Sequence, residues 1–199
     1  MAEQLYTIPI NEAFDEKQGC PLCRLRQNLE NQSLSYIMGA AMMEPDIRIV
    51  TNQLGFCREH FHKMLGMGNR LSLALMLDSH LQYVAQQLPE AEEKKPGRLG
   101  KLRKYDGESP APQMLGQAKS CYVCRRAAEF EQKYISNVVY IWKKDPAFQE
   151  KLRAQPYFCL EQAALLLAQS QKDLSETGYL TFSRDILELC RNKLKDLSA

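Results

Sequence analysis

Apolar residues recur every three or four positions along most of this chain and almost never alternate, so the pattern predicts helices rather than strands. From Cys20 onward Leu25, Leu29, Tyr36, Ala40 and Met43 fall at helical spacing, with Leu34, Ile37 and Ala41 beside them. The residue before a proline avoids the α region, so this first long helix stops at Glu44-Pro45. Pro45 suits the first turn of a short helix that runs to Leu54 and is closed by Gly55. Another helix starts over residues 56–65 and breaks at Gly66-Met67-Gly68. Residues 70–88 read as a long amphipathic helix, with Leu71, Ala74, Leu75, Asp78, Leu81 and Ala85 along one edge. Ahead of these, Asn11 is placed to cap a brief helix over residues 12–17 that Gly19 ends. Residues 6–10 are the only stretch where a short extended piece is expected.

The periodicity lapses over residues 89–120, where Pro96, Gly97, Gly100, Gly107, Pro110, Pro112 and Gly116 accompany a run of lysines and arginines. That composition marks a linker. The helical pattern restarts at Cys121, with Ala127, Phe130, Tyr134, Val138 and Trp142 on one face, and Asp145-Pro146 ends it. A short helix to Gln155, one after Phe158, and a last one over residues 182–197 beyond a turn at Gly178 complete the chain. The second stretch repeats the first. Cys20, Cys23, Glu30 and Pro45 map onto Cys121, Cys124, Glu131 and Pro146 at a constant offset. Phe56, Cys57 and Leu65 map onto Phe158, Cys159 and Leu167 at an offset one residue longer. The core positions Leu34, Ile37 and Ala41 correspond to Ile135, Val138 and Trp142. The expected architecture is all-α, with two pseudo-symmetric helical halves: residues 1–88, a linker over 89–120, and residues 121–199.

Composition narrows the setting. The 199 residues are 45% hydrophobic and 25% charged, an ordinary globular balance, and the net charge of +2 gives no strongly basic surface. The basic stretch of Lys94, Lys95, Arg98, Lys101, Arg103 and Lys104 has no reading helix or aromatic platform beside it, so nucleic acid is not expected as a partner. The N-terminus shows no signal-peptide pattern, and no apolar run approaches the length of a membrane span. A cytoplasmic, non-membrane protein is therefore expected. In that reducing setting paired cysteines favour metal over disulfides.

Six of the seven cysteines fall inside the repeat, which gives them a chemistry. The first copy reads Cys20-Pro21-Leu22-Cys23 and then Phe56-Cys57-Arg58-Glu59-His60; the second reads Cys121-Tyr122-Val123-Cys124 and then Phe158-Cys159-Leu160-Glu161-Gln162. Residues i and i+3 share a helix face, so each pair is a two-pronged fork at a helix start, where the helix dipole favours thiolate. The Cys20/Cys23 and Cys57/His60 forks are expected to close on one ion, a three-cysteine, one-histidine set suited to zinc, with an iron–sulfur cluster as the alternative. In the second copy Gln162 stands where His60 stands in the first, so Cys121, Cys124 and Cys159 lack an evident fourth ligand. Three readings stay open: small core thiols, a fourth ligand from elsewhere (water included), or a redox or cluster site with an open corner. Cys190 and Glu161 are poor candidates for that corner. His62 and His80 are expected to be surface or interhelix residues. No glycine-rich phosphate loop or nucleophile elbow is present, and no catalytic set is identified.

These residues also carry a resemblance. Tyr6-Thr7-Ile8-Pro9-Ile10-Asn11-Glu12-Ala13-Phe14, the two Cys-x2-Cys pairs, Met43-Glu44-Pro45-Asp46, Gly55-Phe56-Cys57-Arg58-Glu59-His60-Phe61, Asn69-Arg70-Leu71 and Trp142-Lys143-Lys144-Asp145-Pro146 span nearly the whole chain. In them the chain resembles a family of uncharacterised bacterial cytoplasmic proteins, a domain of unknown function, widespread among Gram-positive anaerobes. The resemblance implies a Phe-Cys-x2-His fork in both halves, from which Gln162 departs. It implies no activity. Three roles are weighed: a metal-binding structural, interaction or regulatory module with an unidentified protein partner; a thiolate-based redox or metal sensor; and, last, a metalloenzyme using the open three-cysteine site.

Overall fold

In a computed structural model the described residues are 6–89 and 108–198, with side chains described as far as 194, and every regular element among them is helical. The helices are α1 (Thr7–Asp15), α2 (Pro21–Met38), α3 (Pro45–Leu54), α4 (Arg58–Gly66), α5 (Arg70–Gln87), α6 (Ala111–Lys119), α7 (Tyr122–Lys144), α8 (Pro146–Arg153), α9 (Leu160–Asp173) and α10 (Glu176–Ser198), with a 3-10 turn at Ala40–Met43. Proline opens α2, α3 and α8 at the position where a missing N–H costs nothing. Asp145 caps α8 by accepting from the Ala147 N–H, and Asn69 caps α5 by accepting from Ser72.

Several sequence expectations are corrected. The lead-in is not extended: α1 begins at Thr7, and Asn11 donates its side-chain amide back to the Thr7 carbonyl instead of capping a later helix. The final helix starts at Glu176, with Gly178 inside its first turn and its N–H donating to the Ser175 hydroxyl. Part of the supposed linker is α6, whose sequence hides its helix behind Pro112 and Gly116; the basic stretch lies outside the described residues. The edge of α5 that reads as apolar faces outward, with Leu71 and Leu81 exposed, while Ser72, Leu73 and Met76 are buried.

The compact units also differ from the two halves. One joins Met1–Gln32 to Arg126–Ala199, and the other is Ser33–Arg125, so the boundaries fall inside α2 and α7. The core of the first contains Leu22 and Leu25 from the start of α2 with Ile135, Val138 and Trp142 from further along α7, plus Phe14, Phe148, Phe158 and Phe182. The core of the second contains Leu34, Ile37 and Met38 from the end of α2 with Tyr122 and Val123 from the start of α7, plus Met64, Leu73 and Met76. The repeat partners Ile37 and Val138 are both fully buried, each in a different unit. Each unit thus takes the beginning of one long helix and a later part of the other.

Candidate metal centres

Two groups of side chains among the described residues are arranged so that they could hold a metal ion. The first is Cys57, His60, Cys121 and Cys124, all in the unit 33–125; the second is Cys20, Cys23 and Cys159, all in the other unit. The expected pairing of Cys20/Cys23 with Cys57/His60 is therefore corrected: each Cys-x2-Cys fork meets the Phe-Cys fork of the other copy.

The chain entering α4 meets the start of α7, within the unit 33–125. The last turn of α3 leaves carbonyls without intrahelical partners. These are taken by the entry to α7: Gln117 donates its side-chain amide to the Gln53 carbonyl at 2.8 Å, the Ser120 hydroxyl to Leu54 at 2.7 Å, and the Tyr122 N–H to Gly55 at 3.0 Å. His80 donates from Nδ1 to the Asn52 carbonyl at 2.8 Å, adding α5 to the same junction. Gly55 has φ +59°, and a Cβ there would lie 2.5 Å from the His80 ring. Those constraints set Cys57 and Cys121 side by side.

In the first group His60 is 2% exposed, and its Nδ1 lies 3.2 Å from Cys57 Sγ, 3.5 Å from Cys121 Sγ and 3.4 Å from Cys124 Sγ. Cys57 and Cys124 sulfurs are 3.8 Å apart. Burial, then the charge of Cys121, pushes the Cys124 thiol up to about 12. In the second group Cys23 and Cys159 sulfurs are 3.4 Å apart, and all three ligand atoms lie within 4.8 Å of one another. The Cys20 thiol is raised by burial, against the pull of the Cys159 and Cys23 backbone N–H groups; Cys23 is raised further, by burial and by the charge of Cys20. None of the seven cysteines is in a disulfide.

The two groups share their local geometry. Cys57 caps α4 with φ −69° and ψ 163°, and Cys159 caps α9 with φ −70° and ψ 157°. In each, the N–H four residues on donates to the cysteine carbonyl at 2.9 Å. Gln162 occupies the His60 position and is 1% exposed; its Nε2 donates to Glu131 at 2.5 Å. Cys190 belongs to neither group and donates its thiol to the Phe158 carbonyl at 3.3 Å. Glu161 faces outward, 3.8 Å from Arg26. His62 is exposed. No described helix is long and apolar enough to cross a membrane.

The fold and these groups define an all-helical protein with two cysteine-rich clusters compatible with metal binding. The chain belongs to the family of unknown function (DUF6062), whose model matches residues 1–199. No curated protein and no solved structure matches it.

Proposed function

We propose that the protein is a zinc-binding structural or regulatory module whose principal centre is Cys57, His60, Cys121 and Cys124. Zinc–sulfur bonds of about 2.3 Å and a zinc–nitrogen bond of about 2.0–2.1 Å at tetrahedral angles put sulfurs about 3.8 Å apart and nitrogen about 3.6 Å from sulfur. The distances of 3.2–3.8 Å around His60 fall at or just inside those values. That coincidence carries the reading. Three thiolates brought together in a mostly buried site would repel one another; a divalent cation removes that repulsion and satisfies the three sulfurs and the imidazole at once. With every corner supplied by protein, the centre is closed and suits a structural role rather than catalysis.

The setting that goes with this is a reducing bacterial cytosol, and the partner we expect is a protein, since a net charge of +2 supplies no surface for tracking phosphates. Elemental analysis of full-length protein purified without oxygen tests the centre. Cys121→Ser should remove one zinc per chain and make the unit 33–125 protease-sensitive; unchanged stoichiometry overturns the reading.

One observation favours a sensor as the second reading. Cys23 is exposed, with its sulfur 3.4 Å from that of Cys159. A peroxide can take two electrons and two protons from this pair, forming one disulfide and two waters. Release of metal at low peroxide dose, from the second cluster before the first, supports this; equal resistance of both clusters removes it.

A further inference from the structure

The second cluster has three sulfurs and no histidine, and three residues on from its Cys159 stands a buried side-chain oxygen without a partner among the described residues. The Gln162 side chain is 1% exposed, and its Oε1 is buried without a hydrogen-bond partner among the described residues. Its Nε2 is committed: it donates to Glu131 Oε1 at 2.5 Å, and Glu131 is held in turn by Arg26 at 3.5 Å. A carboxylate only accepts, so this contact fixes which end of the amide is nitrogen and leaves the oxygen facing elsewhere. Buried amide oxygens nearly always find a partner, and this one has none among the described residues.

The position of Gln162 says what that partner is. Cys159 caps α9 with the same backbone geometry with which Cys57 caps α4, and Gln162 follows Cys159 by the same three residues that separate His60 from Cys57. In the first cluster the side chain at that position brings its nitrogen to 3.2 Å from the capping sulfur and completes the ligand set. A glutamine Oε1 stands one bond further from the backbone than a histidine Nδ1.

We propose that Cys20, Cys23, Cys159 and the Gln162 carboxamide oxygen form a second metal centre, an S3O site for a divalent zinc-like ion, with Glu131 as the residue that orients the amide. This rests on the zinc reading of the first centre. An amide oxygen is a weaker donor to zinc than imidazole, so the second centre binds less tightly and exchanges its fourth ligand more readily than the closed first centre. Cys23 is its exposed member, so an ion has an approach.

The experiment uses the full chain, loaded with zinc or cobalt(II), competed against a chromophoric chelator and read by cobalt ligand-field absorption. Wild type should bind two ions per chain, one tight and one weaker. Gln162→Leu should weaken only the weaker site, by about tenfold or more, and alter only its cobalt bands. Gln162→His should tighten that site at least tenfold and give it the spectrum of the first centre. If both variants retain the wild-type affinity and bands, Gln162 is not a ligand and the proposal fails. A single ion per chain, lost in Cys121→Ser, overturns the second centre and leaves the first standing. No ion at all removes both.

Discussion

At the level of single residues the two clusters set burial of the thiols against the helix dipoles that favour their ionised form. Each cysteine fork sits at a helix start, where the dipole stabilises thiolate by a few tenths to about 1 kcal/mol. Burial and mutual repulsion work the other way and prevail, since Cys124 rises from 9.0 to about 12. In the absence of metal Cys124 is therefore protonated at neutral pH, and an arriving ion must displace that proton. Metal affinity should then rise with pH, falling by about tenfold per pH unit for each proton displaced as the solution is acidified. The metal-free protein should show the opposite slope. A thiol whose folded value lies above its unfolded one adds stability that is complete below about 9 and lost as pH climbs toward about 12. Denaturant unfolding with and without chelator between pH 7 and 11 checks both signs; parallel slopes contradict the account.

At the level of helices, much was legible and the exceptions have physical causes. Pro45, Gly55 and Pro146 bound α3 and α8 where local rules place them, because those rules act within a few residues. Helix α6 was hidden because Pro112 and Gly116 read as breakers, although Pro112 falls in the first turn, where its missing N–H is harmless. The outward edge of α5 misled because Leu71, Leu75 and Leu81 outnumber the buried Leu73 and Met76 in apolar bulk. The ligand residues themselves were readable from spacing, but their partners were not. Two Cys-x2-Cys forks and two Phe-Cys forks allow two pairings of equal chemistry, and the choice lies in distant contacts such as the Tyr122 N–H on the Gly55 carbonyl. Gly55 is where that choice can be tested. Gly55→Ala would place a methyl 2.5 Å from the His80 ring at a φ that disfavours alanine, a cost of about 1–3 kcal/mol. Lower thermal stability and weaker binding at the first centre are expected. Gly66→Ala, with no neighbour within 4 Å of the new methyl, should be neutral or slightly stabilising. Equal effects from the two substitutions would remove the junction's special role.

At the level of the whole molecule, the exchange of forks changes how the resemblance between the two stretches of sequence is used. Had each half closed its own centre, either half could have folded on its own metal. Here the unit 33–125 draws Cys57 and His60 from the first copy and Cys121 and Cys124 from the second. The other unit draws Cys20 and Cys23 from the first and Cys159 from the second. Neither copy alone carries more than a pair of ligands for any centre. Apparent zinc binding of about 10–16 kcal/mol in small zinc-dependent folds is comparable to the whole stability of an ordinary domain, about 5–15 kcal/mol, so losing two ligands from each centre removes the larger share. Fragments 1–89 and 108–199 expressed separately should therefore be unstable and hold no ion that survives chelator competition. Mixed in the presence of zinc, or expressed together, they should associate one to one and recover the metal content of the intact chain. Because the cores also take parts of α2 and α7 into both units, the reassembled pair should unfold as one species by circular dichroism and release metal in the same transition. An isolated first fragment that binds one tight ion through Cys20, Cys23, Cys57 and His60 would restore the within-copy pairing and overturn the exchange.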